Sequence, residues 1–172
     1  ATKPLNYSFI NPKSAFDVNT QITLNLLELQ RLNKFESLCH FSTSEVYGTS
    51  MMDEMNEFHP LNPTTPYAAG KLAADMAVSS YHKTFDLDAF IVRPFNNFGP
   101  RQNPYPPLAG IIPITINRIQ DGLKPIIHGD GLQSRDFIYV KDTISNIIRL
   151  FSVIDKGDIV NISSQNEIKV KD

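Results

Sequence analysis

The sequence predicts an α/β protein in which a doubly wound parallel sheet is covered by helices on both faces. Segments with helical periodicity alternate with short apolar segments along the 172 residues, which is the pattern of such folds. Residues 87–93 form a nearly continuous apolar run, as expected for a strand that is buried on both faces. Polar side chains follow the predicted strand ends, where parallel sheets carry their ligand sites.

Length and composition are those of an ordinary globular chain, with 41% hydrophobic residues, 20% charged residues and a formal net charge of −2. The chain is long enough for one domain with a real core. The charge gives no indication of nucleic-acid binding, and no apolar run is long enough for a membrane helix. Cys39 is the only cysteine, so an intrachain disulfide is impossible and a cytoplasmic location is favoured. The four histidines lack a metal-ligand spacing, so we predict no metal site.

The first half is predicted to contain two long helices. Residues 1–12 form a loop, and residues 14–32 form a helix because apolar residues recur there at helical spacing. These apolar residues are Val18, Ile22, Leu26 and Leu29. A short strand over residues 36–42 and a long, proline-containing loop over residues 49–66 follow. The next helix, residues 66–85, opens on a proline, which is tolerated in the first helical turn.

The second half changes in character after Arg93, where five prolines crowd a loop that no helix can traverse. This change divides the chain into residues 1–93 and residues 94–172. The further elements are predicted as a helix over 111–121 capped by Gly122, strands over 125–128 and 135–140, a helix from Lys141 or Asp142 to Leu150, and a strand over 158–162.

Two short stretches contain the residues with chemical potential: 41–48 (Phe-Ser-Thr-Ser-Glu-Val-Tyr-Gly) and 66–71 (Pro-Tyr-Ala-Ala-Gly-Lys). Tyr67 and Lys71 are four positions apart on a predicted helix, so they share one face. A free tyrosine has a pKa of about 10, and a neighbouring ammonium favours phenolate and lowers that pKa. Thr43 follows a strand, and its hydroxyl can bind the same substrate oxygen as the Tyr67 phenol. The alternative is a solvated tyrosine–lysine pair on a surface helix.

Together with motifs at 93–102, 129–131 and 134–140, these stretches resemble the extended short-chain dehydrogenase/reductases that modify nucleotide sugars. The resemblance covers nearly the whole chain. It implies a Rossmann-like sheet, NAD as the cofactor and a UDP- or dTDP-linked sugar as the substrate. Residues 1–93 are then the second half of the NAD-binding domain, and residues 94–172 are mainly a small substrate-binding part.

The resemblance also implies that a glycine-rich loop is missing. Members of this family begin with a strand, a glycine-rich phosphate loop and a helix N-terminus. None of the eight glycines here forms GxGxxG or GxxGxxG. We therefore expect an internal piece of a longer protein, incomplete at its C-terminus and inactive when isolated.

By the same resemblance, individual residues receive roles. Thr43, Tyr67 and Lys71 are catalytic, and Tyr67 and Lys71 also contact the cofactor together with Pro94 and Phe95. The implied substrate-binding residues are Asn96, Ile111, His128 and Arg135.

Two of these assignments have structural alternatives. Asn96 follows a strand, where asparagine commonly makes a turn. Arg135 suits a diphosphate because its guanidinium binds such groups in a bidentate manner. Its alternative role is a surface ion pair with Asp136 or Asp142.

Glu45 is the residue that distinguishes the possible reactions. The resembling 4,6-dehydratases commonly have Asp-Glu at this point and the decarboxylases Ser-Glu or similar, whereas this chain has Ser44-Glu45. The carboxylate of Glu45 could remove a proton beside a newly formed ketone, or it could bond to backbone in a tight turn. The absence of the expected aspartate weakens the dehydratase interpretation. Because residues 101–110 and 129–137 resemble the epimerase branch most, we predict 4-epimerisation, with 4,6-dehydration or decarboxylation as alternatives. An inactive nucleotide-sugar-binding protein is the non-enzymatic alternative.

The helices over 14–32 and 67–85 are predicted to lie side by side on one sheet face. In the resembling family this pair meets its two-fold mate as a four-helix bundle, so a homodimer is expected. Ala73, Ala74 and Ala77 would allow close approach at such a contact. The alternative is that this surface packs only on its own sheet or on a missing N-terminal part.

Overall fold

The computed structural model describes residues 4–106 and 108–171. Residues 1–3, Pro107 and Asp172, which belong to the predicted terminal and proline-rich segments, lie outside these ranges. The helices are α1 (Pro12–Arg31), α2 (Pro66–Phe85), α3 (Ile111–Gln120) and α4 (Val140–Leu150), and the strands are β1 (Ser37–Phe41), β2 (Asp88–Pro94), β3 (Asn96–Phe98), β4 (Ser134–Tyr139), β5 (Ile159–Ile162) and β6 (Glu167–Lys169). No helix in these ranges has the length and apolar character needed to cross a membrane.

The strands form two small sheets. The first has the order β1-β2-β5 and is parallel throughout. In the second, β3 runs parallel to β4, and β6 runs antiparallel to β4. Strand β5 belongs to the predicted second part of the chain, residues 94–172, yet it pairs with β2 in the first sheet. The predicted parallel α/β architecture is therefore confirmed, while the division at residues 93 and 94 stays a prediction.

Both faces of the first sheet are covered by helices. Ala89 and Ile91 of β2 pack with Leu27 of α1 and Val78 of α2. The alternate side chains of β2 face the opposite side and pack with Ile147 of α4. Because side chains alternate along a strand, the continuous apolar run of β2 supplies both cores, in agreement with the sequence prediction.

Helix α1 presents its apolar stripe away from the sheet. Ile22, Leu26 and Leu29 are exposed, and the side that faces the protein carries Ala15, Asn19, Thr23, Leu27 and Gln30. Each polar member of that side makes a hydrogen bond. Gln30 Nε2, for example, donates to the carbonyls of Glu36 and Asp88, both at 2.7 Å, while its Oε1 has no hydrogen-bond partner among the described residues. Buried polar groups are tolerated when they are hydrogen-bonded in this way.

Helices α1 and α2 lie side by side, as predicted, and they approach closely at a glycine. The Thr20 hydroxyl donates to the carbonyl of Gly70 at 3.1 Å. A Cβ on Gly70 would lie 2.8 Å from the carbonyl oxygen of Phe16, so a larger residue would push the helices apart. The expectation that Ala74 contacts a second subunit is wrong, because Ala74 is completely buried within the chain.

A 3₁₀ helix, Leu5–Phe9, lies within the loop predicted over residues 1–12. Three further segments differ from the predicted strands. Residues 125–128 do not form a strand, since Ile126 and Ile127 are largely exposed and pair with no described strand. Residues 96–98, predicted to be loop, form β3 against β4. Strand β6 lies beyond the predicted elements, because its three residues are exposed and lack an alternating pattern. In each case a partner strand, rather than local composition, decides whether the strand forms.

Candidate active site

The candidate site begins at the carboxyl end of β1. Thr43 caps a single 3₁₀ turn, Ser44–Tyr47, and its Oγ1 accepts the Glu45 backbone N–H at 3.3 Å. Gly48 closes this turn with a φ of +70°, and a Cβ there would lie 2.0 Å from the carbonyl oxygen of Asn62. The Ser-Glu-Val-Tyr-Gly stretch is thus a tight turn that requires glycine at its end.

Tyr67 meets Thr43 at this turn. Helix α2 begins after Thr65, whose Oγ1 accepts the Ala68 N–H at 3.1 Å, and Tyr67 lies in the first turn of the helix. The Tyr67 phenol lies near enough to Thr43 for the Thr43 side chain to lower its pKa. The structure therefore brings together the two hydroxyls that the sequence assigns to one substrate oxygen.

The pKa of Tyr67 differs from the sequence expectation. Burial raises the pKa of Tyr67 above its ordinary value, the interaction with the Thr43 side chain opposes this rise, and the charge of Glu45 adds to it. The sequence predicts that the neighbouring Lys71 ammonium lowers the pKa of Tyr67, but in this chain the net effect is a raised pKa. The physical reason is that burial dominates while the Lys71 ammonium is bound elsewhere.

The Lys71 ammonium donates a hydrogen bond to the carbonyl of Phe41 at the end of β1. The side chain is buried, and this burial lowers the pKa of Lys71, whereas the negative charge of Asp75 raises it. An ammonium has three N–H donors, so two remain for other partners. Lys71 thus stands beside the same strand end that leads to Thr43.

A cleft of about 950 Å³ is lined by Ser44 and Glu45, which directly follow Thr43 in the chain, whereas Thr43, Tyr67 and Lys71 are outside its lining. Four residues assigned from the sequence line it: Glu45, Phe95, Asn96 and Arg135. The Asn96 side chain donates to the carbonyl of Asp136 at 3.1 Å. The structure therefore gathers residues from the β1 turn, β3 and β4 around one space of ligand size.

Arg135 is exposed and donates to the carbonyl of Ser134 at 2.7 Å. The carboxylate of Asp136, one of its possible surface partners, instead accepts hydrogen bonds from Ser164 and from the Asn166 N–H. Arg135 is itself one of the residues that line the cleft.

Three further assigned residues, Pro94, Ile111 and His128, are also outside the cleft lining. Pro94 is the last residue of β2 and Ile111 is the first residue of α3. His128 is exposed, and its carbonyl accepts from Gln133 Nε2 at 2.8 Å. Their ligand roles remain predictions.

Asn161 is a cleft residue that sequence reasoning missed. Its backbone N–H donates to Glu57 at 2.7 Å, and its side-chain amide donates to the carbonyl of Met55 at 3.0 Å. Its Oδ1 accepts the Tyr47 hydroxyl at 2.8 Å. Tyr47 and Asn161 are 114 positions apart, so no local pattern signals the contact. The acidic, proline-containing loop before α2 is the sequence signal for this wall of the cleft.

Metal binding has no structural support in the described part of the chain, where no group of three or more His, Cys, Asp or Glu side chains could hold an ion.

A model of the NAD dependent epimerase/dehydratase family matches residues 3–163. The chain therefore belongs to this family, in agreement with the resemblance drawn from its motifs.

Individual relatives carry out different sugar reactions. The chain is 34% identical to the dTDP-D-glucose 4,6-dehydratase of Homo sapiens, over 96% of this chain and 46% of that protein. It is also 34% identical to a putative UDP-glucose 4-epimerase of Methanocaldococcus jannaschii, over 94% of this chain and 52% of that protein. The crystal structure of the dTDP-glucose 4,6-dehydratase DesIV from Streptomyces venezuelae, which has NAD bound, superposes with a TM-score of 0.89 at 30% identity, covering 97% of this chain and 51% of that one. The chain thus spans about half the length of the relatives it matches.

The raised pKa of Tyr67 gives a direct titration test in the cofactor-free full-length protein. Phenolate absorbance is measured against pH for the wild type and for Tyr67→Phe, and the difference isolates Tyr67. Because burial disfavours the charged form, we expect ionisation only above pH ~10, the value of free tyrosine. Tyr105→Phe, at an exposed position, is the matched control. A difference midpoint clearly below the free value would contradict the burial argument.

Proposed function

We propose that the protein containing this chain is an NAD-dependent enzyme that modifies a nucleotide-diphosphate sugar through a transient keto-sugar, with 4-epimerisation as the leading reaction. The observation that carries the proposal is that Tyr67 and Thr43 interact while the buried Lys71 ammonium is bound at the strand end that leads to Thr43. Ser44 and Glu45, which directly follow Thr43, line a ligand-sized cleft. Family membership and the named relatives support the same chemistry.

The donor set around α2 fits the ribose of a nicotinamide cofactor. Two N–H groups of Lys71 and the hydroxyl of Tyr67 can bind neighbouring ribose hydroxyls. Pro94 and Phe95 stand at the end of β2, and the Phe95 N–H already donates to Ile162 at 2.9 Å. Their proposed role is therefore to form the wall beside the nicotinamide. When bound, NAD would accept and return the hydride.

In the proposed reaction, Tyr67 as phenolate takes the proton of a sugar hydroxyl, and Thr43 orients the same oxygen. The Lys71 ammonium favours the phenolate by its charge. Asn96 and Arg135, which line the cleft, bind the nucleotide part, Arg135 through the diphosphate. Ile111 and His128, the other two residues assigned to substrate binding, are proposed to pack around the base of the nucleotide.

A 4,6-dehydratase is the second candidate, and Glu45 is the observation that favours it. The backbone N–H of Glu45, not its carboxylate, makes the bond within the turn, and Glu45 lines the cleft. The carboxylate is therefore available to remove a proton beside the ketone. A decarboxylase is a third candidate, and an inactive nucleotide-sugar-binding protein is the non-enzymatic one.

We also propose a homodimer in which the apolar stripe of α1 and the exposed face of α2 pack on their two-fold mates. Ile22, Leu26, Leu29 and Met76 are exposed on these helices, and Ala73 lies on the same helix as Met76. Contiguous apolar surface of this kind marks interaction sites.

Light scattering of the full-length protein measures this assembly. We expect the mass of a dimer at micromolar concentration, because a stable isologous contact of more than roughly 1,000 Å² is available to two apolar helices. Leu26→Glu should shift the equilibrium toward monomer, whereas Ile148→Glu, at an exposed position of α4, should not. A wild-type monomer would rule out the dimer.

The cytoplasmic location stays a prediction.

Tyr67→Phe tests the catalytic mechanism. We expect turnover of the full-length enzyme to fall by orders of magnitude while nucleotide-sugar affinity survives, because the hydroxyl acts on the developing alkoxide and not on the nucleotide. Tyr105→Phe, a matched change at an exposed tyrosine, should retain wild-type rates. Wild-type turnover in Tyr67→Phe would refute the mechanism.

The mass of the product separates the two candidate reactions. The full-length protein is incubated with UDP- and dTDP-hexoses, and products are analysed by mass spectrometry. An unchanged mass with altered stereochemistry identifies an epimerase, and the loss of one water identifies a dehydratase. For a dehydratase, Glu45→Gln should lower the elimination rate at least tenfold, because the amide cannot accept the proton. For an epimerase, the same variant should leave turnover within a few-fold of wild type.

A further inference from the structure

A cluster of buried polar and charged side chains lies beneath the candidate site. Asp75 is completely buried on α2. Its Oδ2 accepts from Arg93 Nε at 3.1 Å, and its Oδ1 lies 3.2 Å from His40 Nε2. We call His40, Asp75 and Arg93 the buried charge cluster. None of the roles assigned above uses it.

Each member of the buried charge cluster is next to a part of the candidate site. Asp75 follows Lys71 by four positions, so the two side chains emerge from the same face of α2. His40 precedes Phe41, whose carbonyl accepts a hydrogen bond from the Lys71 ammonium. Arg93 directly precedes the stretch assigned to cofactor contacts. The cluster therefore joins α2 to the ends of β1 and β2 at the level of the site.

This region contains more buried cations than buried anions among the described residues. Arg93 and Lys71 are buried cations, and Asp75 is the only aspartate or glutamate among the described residues that are buried. Burial lowers the pKa of His40, although the nearby Asp75 carboxylate opposes this effect, so the imidazole is neutral near pH 7. Arg93 pairs with Asp75 directly, and Asp75 is the only buried carboxylate among the described residues that can compensate the charge of Lys71 as well.

We propose that Asp75 is a positioning residue for the reaction proposed above, on which this inference rests: it is the counter-ion that keeps the Lys71 ammonium charged and held at the end of β1. A buried ammonium without a nearby acid releases its proton. A neutral Lys71 would give up the charge that favours the Tyr67 phenolate. In agreement, the charge of Asp75 opposes the lowering of the Lys71 pKa that burial causes.

The competing explanation is a structural ion pair in which Asp75 serves Arg93 alone. That explanation predicts a loss of stability in Asp75 variants, because an uncompensated buried guanidinium is costly. It predicts no change in the titration of Lys71. The protonation of Lys71 is therefore the readout that separates the two explanations.

The experiment is an NMR titration of the full-length protein with lysine labelled by ¹³C at the ε carbon. The Lys71 signal is identified by its loss in Lys71→Arg. In Asp75→Asn we expect the titration midpoint of Lys71 to fall by about one pH unit or more. Asp86→Asn is the matched control, since Asp86 caps the other end of α2 and pairs with Lys156 at the surface. An unchanged Lys71 midpoint in folded Asp75→Asn overturns the proposal.

A second variant keeps the test decisive if Asp75→Asn does not fold. The double variant Asp75→Asn/Arg93→Met removes both buried charges, and the Lys71 midpoint should still fall below that of the wild type. Asp75→Glu, which keeps the charge, should restore it.

The pH profile of turnover gives an independent readout. Activity that needs a charged Lys71 is lost as pH rises through its pKa. In Asp75→Asn, the high-pH limb of the turnover profile should therefore move to lower pH by the same amount as the Lys71 midpoint. KM should be unchanged at pH values below this limb. An unmoved limb beside a shifted midpoint would show that Lys71 charge does not limit the reaction and would overturn the positioning role. If the wild type turns over no nucleotide sugar, the proposed function fails, while the lysine titration still decides whether Asp75 holds Lys71 charged.

Discussion

The buried ion pair between Asp75 and Arg93 is the interaction on which the rest of the site depends. Two charges removed from water cost several kcal/mol each unless their hydrogen-bonding groups are matched. Here the guanidinium donates to Asp75 at 3.1 Å and to the Tyr47 hydroxyl at 2.9 Å, and it lies 4.9 Å from the Tyr47 ring centroid. The Tyr47 hydroxyl in turn donates to Asn161. This chain of contacts joins α2, β2, β5 and the turn after β1, so none of them can shift alone.

The wall of the cleft is attached to the same network. His59 is buried against Tyr47 with ring centroids 5.5 Å apart, and its Nε2 accepts the Met51 N–H at 3.0 Å. Asn161 binds Met55 and Glu57 from the other side. A long loop is therefore ordered by contacts with the network rather than by its own secondary structure. Loops held in this way on a rigid scaffold commonly carry binding residues.

Burial shifts the pKa values of the two residues of the Tyr-x-x-x-Lys motif in opposite directions. It raises the pKa of Tyr67 and lowers the pKa of Lys71, and in both cases it favours the neutral form. The proposed chemistry needs both charged forms. The pair therefore depends on further charges: Asp75 supports the ammonium, while the phenolate needs a positive charge beyond those acting on Tyr67 in this chain. Burial thus makes the reactive state conditional on what the site binds.

The sequence by itself determined the features that depend on a few neighbouring residues. Helical periodicity located α1 and α2, the apolar run located β2, and the spacing of Tyr67 and Lys71 placed both on one helix beside the strand end that precedes Thr43. The tertiary structure alone decided the direction of the pKa shift at Tyr67, the failure of residues 125–128 to form a strand, and the place of Asn161 in the cleft. The physical reason is that burial, strand pairing and long-range hydrogen bonds depend on elements far apart in the chain, whereas helical and strand periodicity is written within one or two turns.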